Sequence, residues 1–505
     1  MKNLRYIVTA AVALSLFASS CKKEFLDEKP HELISTEQLA DAVKQDPSLL
    51  KGMVSGLYST MYNTGTGGTT GHDDFGQKGY DIYSDMLSSD MMLGAQTYGW
   101  YATVARFQAT KDFTSNQTYV PWRYYYRIIF AANTVIDVLG GNDVVLTDAN
   151  LKNYMGQAKA MRAYAYFYLT QFYAPKGYGT GSEKILPLYI DTKVPNQPLS
   201  TSAQIFDQII KDLTESIQTL ATYTRANKGE INADVAKGLL AYAYAARGTD
   251  ADLAKVITLT DEVLAKFPLT TKNAVVAQLD GTGKLVNSES GFNNVATPSW
   301  IWGADLTISS NLDLVSWWGQ VDVYTYSYAS VGDAKVVDNA LYAAIRADDV
   351  RKNQFVNSTT YKGLIPTGKF FDPARTIQGQ RQVTTDYIYM RSDEMLLLNA
   401  EAKARLSQDG PARDALKRLL TLRITNFNYV DALSGSALKE EIYLQSRIEL
   451  WGEGKTYLAV KRNKHSITRG SANLFFPGET FTYDSDELTF PIPQAEVLNN
   501  PNLNN

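Results

Sequence analysis

Cysteine occurs once in the 505 residues, at Cys21, and that scarcity excludes a disulfide framework. Histidine is nearly as rare. His31, His72 and His465 lie far apart in the chain, so their spacing suggests neither a histidine-based triad nor a zinc site. An excess of charge of one sign is also missing: Lys+Arg 49 against Asp+Glu 53 gives a net charge of −4, with no basic field to attract nucleic acid. After residue 18 no apolar run approaches the roughly 20 residues that a membrane-spanning helix needs. The glycine motifs are incomplete. Gly65, Gly67, Gly68 and Gly71 miss the dinucleotide fingerprint because Thr70 falls at its last glycine, and Gly281-Thr282-Gly283-Lys284 lacks phosphate-loop spacing. The expectation is therefore no cofactor, no metal and no catalytic histidine.

What is present begins at the N-terminus. Lys2 and Arg5 precede a single apolar stretch at 6–18, and the small residues Ala18, Ser19 and Ser20 lead into Cys21. A basic start, a short apolar core and small residues before a cut site describe a secretory signal over residues 1–20. Phe17-Ala18-Ser19-Ser20-Cys21 resembles a lipobox, which makes Cys21 the expected lipid anchor. More than one acyl chain, at about 0.8 kcal/mol per buried CH₂, holds a protein stably on a bilayer. Tyrosine is the other excess: 32 against 19 Phe. A ring with a polar tip suits half-buried, wet surfaces as well as helix packing.

Helical periodicity dominates the rest. In 203–220, Ile205, Ile209, Leu213, Ile217 and Leu220 recur every three or four residues, and 252–267 repeats the pattern. Segments 152–173 and 234–247 are Ala/Tyr-rich at helical spacing. Segments 393–407 and 411–424 form a further pair, with Pro411 expected as the first helical residue of the second. These pairs suggest a mainly α fold with tetratricopeptide-like helix pairs, although the two Ala/Tyr helices are farther apart than one ~34-residue repeat. Residues 63–81 and 271–335 lack helical period and read as long loops, rich in aromatic residues and therefore ordered.

Five segments, in order along nearly the whole chain, resemble the SusD/RagB family of Bacteroidetes lipoproteins. They are Cys21-Lys22-Lys23-Glu24-Phe25-Leu26-Asp27-Glu28-Lys29-Pro30, the stretch 159–187, the helix from Met390 to Ala402, 447–462 (RIELWGEGKTYLAVKR) and 489–503 (TFPIPQAEVLNNPNL). The chain departs from the pattern at Lys455, where Arg is usual, and at Ala459, where Asp is usual. The resemblance implies a SusD-like helical fold with an N-terminal region at 21–270 and a C-terminal region at 271–505, packed as one globular body. It also implies a surface-exposed lipoprotein of the outer membrane, working with a SusC-type TonB-dependent transporter. The implied activity is binding without catalysis, of oligosaccharides or, in some branches, peptides.

Sugar sites need flat aromatic faces and hydrogen-bonding side chains, each bond netting only about 0.5–1.5 kcal/mol. Two loop clusters offer them: Tyr98, Trp100 and Tyr101 with Tyr80, Asp81 and Tyr83, and Trp317 and Trp318 with Tyr324, Tyr326 and Tyr328. Trp100 and Trp318 are the leading candidates, and the competing reading makes such rings, like Trp300 and Trp302, buried anchors. His72-Asp73-Asp74 reads as a solvated polar loop. A glycosidase would need two opposed carboxylates. Asp85 with Asp90, or Asp393 with Glu394, are the pairs to weigh, but Asp393 and Glu394 point about 100° apart on one helix. Glu394 and Glu401, near Arg391 and Arg405, read as an ion-pair and capping network.

Overall fold

The computed structural model describes residues 36–504, apart from 176–177 and 179–180. The signal segment, Cys21, His31 and the Cys21–Pro30 motif lie outside the described residues. The described residues up to Leu49 form one unit, in which helix α1 (Thr36–Gln45) carries an exposed Lys44–Asp41 pair at 2.9 Å. The second unit runs from Leu50 to Asn505 without a division near residue 270. No described helix is long and apolar enough to cross a membrane.

The second unit is mainly α. After α2 (Ser48–Thr60) and α3 (Gln77–Leu87), the long helices are α4 (Asn116–Val138), α5 (Ala149–Tyr173), α6 (Ser202–Thr219), α7 (Ala233–Arg247) and α8 (Asp250–Leu264). Each packs on the next, and the succession continues from α8 to the later helix α10 (Ser392–Arg405). This is the stacking expected of tetratricopeptide-like helix pairs. The starts are set by side-chain caps. Asp148 accepts from the Asn150 and Leu151 N–H groups, Thr201 and Gln204 form a capping box, and Asn232 and Thr249 cap α7 and α8. Each such cap contributes about 1 kcal/mol. Helix α7 ends on Gly248, whose φ of +70° a side chain would strain.

Helix α5 is buried all the way from Met155 to Tyr173, which explains why its sequence shows small residues and rings rather than one apolar stripe. A Cβ at Gly156 would lie 2.8 Å from Leu220, so only glycine allows that approach. Many of the tyrosines pack in the interior rather than on a wet surface. Tyr125 stacks on Tyr168 at 5.6 Å, and Tyr173 donates its hydroxyl to Thr118 O at 2.6 Å. A phenol can fill a helix interface when its O–H finds a carbonyl.

The long loop at 63–81 is shorter than its composition suggests. Helix α3 begins at Gln77 and is buried on all sides. The 271–335 stretch is tied down by two antiparallel strand pairs. Strand β1 (Met91–Leu93) pairs with β3 (Lys335–Val337), and β2 (Trp300–Ala304) pairs with β4 (Tyr387–Arg391). Trp300 and Trp302 on β2 are buried anchors. Between β2 and β3 lies the short helix α9 (Trp317–Val321), also buried throughout.

The C-terminal helices α10, α11 (Asp409–Leu420), α12 (Gly435–Glu449) and α13 (Thr456–Asn463) surround an interior ion network. Pro411 sits in the first turn of α11, two residues later than expected, where its missing N–H still costs nothing. Arg391 reaches Glu449 at 2.8 Å, Glu453 at 2.8 Å and Asp393 at 2.9 Å, while Arg423 and Arg351 also reach Glu449. Glu394 caps α10 by accepting from Arg391 N, and Lys455 lies 3.4 Å from it. Glu401 is held by Arg462 at 2.7 Å and Arg405 at 3.5 Å. The acid-rich helix is thus structural, as its spacing implied.

Candidate functional site

The β1–β3 pairing creates the site. It places Met91 opposite Val337 and Leu93 opposite Lys335, so the loop leaving β1 and the loop entering β3 emerge side by side. The first carries Tyr98 and Trp100, the second Tyr324, Tyr326 and Tyr328. Thr97 N donates to Asp333 Oδ1 at 3.1 Å and Thr97 Oγ1 to Gly332 O at 2.9 Å, which locks the two loops together.

Positive φ values at Gly99 (+77°) and Tyr101 (+69°) turn the chain so that neighbouring rings go in different directions. Tyr98 stands 58% exposed, Trp100 is half-buried and Tyr101 is buried. His72 comes from the end of the Gly-rich loop and lies parallel to the Trp100 indole, with ring centroids 5.0 Å apart. His72 Nδ1 is hydrogen-bonded to the Tyr328 hydroxyl, and His72 O accepts from Gln320 Nε2 at 2.9 Å. Tyr98 meets Tyr328 edge-on at 5.0 Å, and Trp100 lies 6.1 Å from Tyr328. Four rings from three chain segments therefore form one braced platform, with Tyr98 exposed, Trp100 and His72 half-buried and Tyr328 buried beneath them. In the same loop Tyr326 is partly exposed with the Arg381 guanidinium over its ring at 4.3 Å. Tyr324 accepts from Arg375 Nη2 at 2.7 Å, with that guanidinium 4.5 Å from its ring.

Beneath the platform lies a buried charge. Lys335 is fully enclosed, donates to Asp333 O at 3.2 Å and sits 5.4 Å from the Tyr101 ring. Burial pushes its ammonium down to about 8, against the attraction of Asp333 and Asp73.

Five of the expected site residues are not surface groups. Trp318 is 1% exposed and donates from Nε1 to Thr385 O at 2.7 Å; Trp317 packs on Phe370 at 5.3 Å with Lys78 over its ring at 4.2 Å. Tyr80 packs at 4.8 Å from Tyr124, and Asp81 is bound by Lys78 at 2.8 Å and Gln77 at 2.9 Å. Tyr101 meets Tyr83 edge-on at 5.6 Å. All five are held by helices α3 and α9, or by the turn after Gly99, against the core. Trp100 and Tyr98 remain at the surface, with Tyr324 at its margin. His72 and Tyr328 complete the platform; Tyr328 belongs to the second expected cluster, whereas His72-Asp73-Asp74, expected as a solvated polar loop, instead has both aspartates buried.

The carboxylate pairs also lie inside. Burial and the neighbouring Asp90 push Asp85 well above the usual carboxylate range, and Gly454 N donates to it at 3.3 Å. Asp90 is bound by Arg447 at 2.8 Å, and Asp393 belongs to the interior ion network. None of these acids opens onto the platform's solvent face.

Comparison with known proteins agrees with this architecture. Residues 24–249 match a family model described as "Starch-binding associating with outer membrane", and residues 324–505 match one described as "SusD family". A SusD-like protein of Formosa agariphila is 30% identical over 173 residues, which cover 34% of this chain and 31% of that protein. A SusD-like protein of Bacteroides ovatus is 29% identical over 127 residues, covering 25% and 22%. The chain thus aligns with about a third or less of these relatives' length. The crystal structure of a SusD-like carbohydrate binding protein from Bacteroides vulgatus superposes with a TM-score of 0.73 at 23% identity, over 90% of this chain and 97% of that one. Surface glycan-binding protein A from Bacteroides thetaiotaomicron, in complex with laminarihexaose, gives a TM-score of 0.64 at 16% identity, over 90% and 98%. At these identities the structural likeness is one of fold.

Proposed function

Because the chain belongs to the SusD/RagB family, we propose that it is a lipid-anchored, surface-exposed outer-membrane protein that binds oligosaccharides and delivers them to a SusC-type TonB-dependent transporter. The observation that carries this reading is the braced platform of Tyr98, Trp100, His72 and Tyr328. Flat ring faces at an accessible surface suit the C–H side of a pyranose, and hydrogen bonds from the loops set its orientation. Association costs several kcal/mol before any contact is made. Rings already fixed by stacking and by the His72–Tyr328 bond lose little further freedom on binding.

A glycan suits this platform better than a peptide, because Tyr98 and Trp100 offer ring faces rather than a side-chain pocket. The role is capture without bond cleavage, since the carboxylates best placed by sequence serve the interior. Incubation with a panel of polysaccharides tests this directly. Retention without new reducing ends is expected, and release of reducing ends would refute a purely binding role. Cys21→Ser should move the protein from the membrane to the soluble fraction. A large barrel protein is expected to co-purify from detergent-solubilised membranes, and its consistent absence would remove the transporter partnership.

A further inference from the structure

A groove that shares no lining residue with the ring platform runs along α4 and holds about 700 Å³. That size is within the range of small-molecule sites. Along α4 the lining residues Tyr119, Trp122, Arg123, Tyr126, Arg127 and Phe130 recur at spacings of three, one, three, one and three, so rings and guanidinium groups share one stripe. Phe130 is 63% exposed, and the opposite wall is the 189–196 segment with Glu496 and Asn499.

On its α4 side the groove has spare donors. Arg127 donates from Nη1 to Thr66 O at 2.8 Å, and Arg123 reaches Gly68 O at 3.4 Å. Both partners are backbone carbonyls, so among the described residues no carboxylate neutralises either guanidinium. Each guanidinium carries five N–H donors, most of them free. The two acids of the opposite wall take neutral N–H donors. Glu496 accepts from Trp122 Nε1 at 3.3 Å and from Asn500 Nδ2 at 2.9 Å, while Asp191 Oδ1 accepts from Lys193 N at 2.8 Å. A fitting ligand must bring acceptors that match a planar fork, together with faces for the rings. The rise of 1.5 Å per residue sets Arg123 and Arg127 about 6 Å apart along the helix, which suits acceptors repeated along a chain.

We propose that this groove is a second glycan site, selective for oligosaccharides bearing carboxylates, that is, uronic acid units. The assignment rests on the glycan-binding reading above. Each carboxylate is held bidentately by a guanidinium fork, and the sugar rings lie against Tyr119 and Phe130.

The test is affinity electrophoresis of the full chain through native gels containing polygalacturonate, a set of neutral polysaccharides including laminarin, or polyglutamate. The double variant Arg123→Gln, Arg127→Gln changes two exposed side chains and should bind polygalacturonate about tenfold more weakly, with neutral polysaccharides unaffected. Polygalacturonate binding by the wild type should also weaken with added salt. Equal retardation of wild type and double variant by polygalacturonate would overturn the site, as would equal retardation by polyglutamate, which has charge without sugar rings. If the wild type binds a neutral polysaccharide but not polygalacturonate, this inference falls and the glycan-binding reading stands. If it binds no polysaccharide at all, both fall.

Discussion

The imidazole of His72 and the indole of Trp100 lie within 5° of parallel, 28 positions apart in sequence, with Tyr328 closing the cluster from a third segment. This stack is a surface feature supported from below, so removing Trp100 takes away ligand-facing area without opening the core. Trp100→Ala should weaken retention of the bound polysaccharide by roughly tenfold, while stability changes by about 1 kcal/mol or less. Affinity electrophoresis and a thermal melt of the same sample check both halves. A collapse in melting temperature would show that Trp100 is a packing anchor.

Trp318 has the opposite character. Its ring lies 6.2 Å from Phe370 and its N–H is satisfied by Thr385 O, all inside the core. Trp318→Ala should cost about 3–5 kcal/mol in chemical denaturation. A variant with wild-type stability and weakened glycan retention would return Trp318 to the binding surface.

Glu449 is the hub of the interior ion network. Against the cost of its burial, Arg423, Arg391 and Arg351 hold its carboxyl well below the ordinary range, and with Lys369 Arg391 likewise holds the buried Glu453 at about 2. Glu449→Gln leaves three guanidinium groups short of a partner and should destabilise by about 3–5 kcal/mol. Folded values depressed in this way contribute stability above the unfolded value of about 4.3 and lose it as pH falls. Melting curves from pH 6 down to pH 3 should therefore fall more steeply for the wild type than for the variant. Parallel curves would contradict the assignment.

Lys335 shifts stability in the same direction, but in an alkaline window. Its folded value of about 8 lies below its usual 10.5, so between these limits the unfolded chain binds more protons and stability rises with pH. Lys335→Met lacks this group. The stability difference between the two proteins should shift in favour of the wild type between pH 8 and pH 10, by up to a few kcal/mol. A difference independent of pH over that interval would show that Lys335 is not titrating there.

Much of the architecture was legible because it is local. The periodicity at 203–220 and 252–267 marked α6 and α8 to within a few residues, since an amphipathic helix writes its buried face into the spacing of its apolar side chains. The Ala/Tyr helices were visible for a different reason: small residues permit close helix contact, as at Gly156. Helix α3 was missed because it is buried on every side, so its Gln, Lys and Asp residues serve interior hydrogen bonds and ion pairs rather than a solvent face.

By itself the sequence determined the family, the mainly α class, the helix pairs and the regions that supply aromatic loops. Only the tertiary structure decided which rings reach solvent. Tyr98 and Tyr101 are three residues apart in one loop, yet a left-handed turn leaves one exposed and sends the other into the core. Trp100 and Trp318 have the same side chain, and pairing between β1 and β3 presents the first while helix α9 encloses the second. Burial is a property of everything packed around a residue, and that packing comes from segments hundreds of positions away.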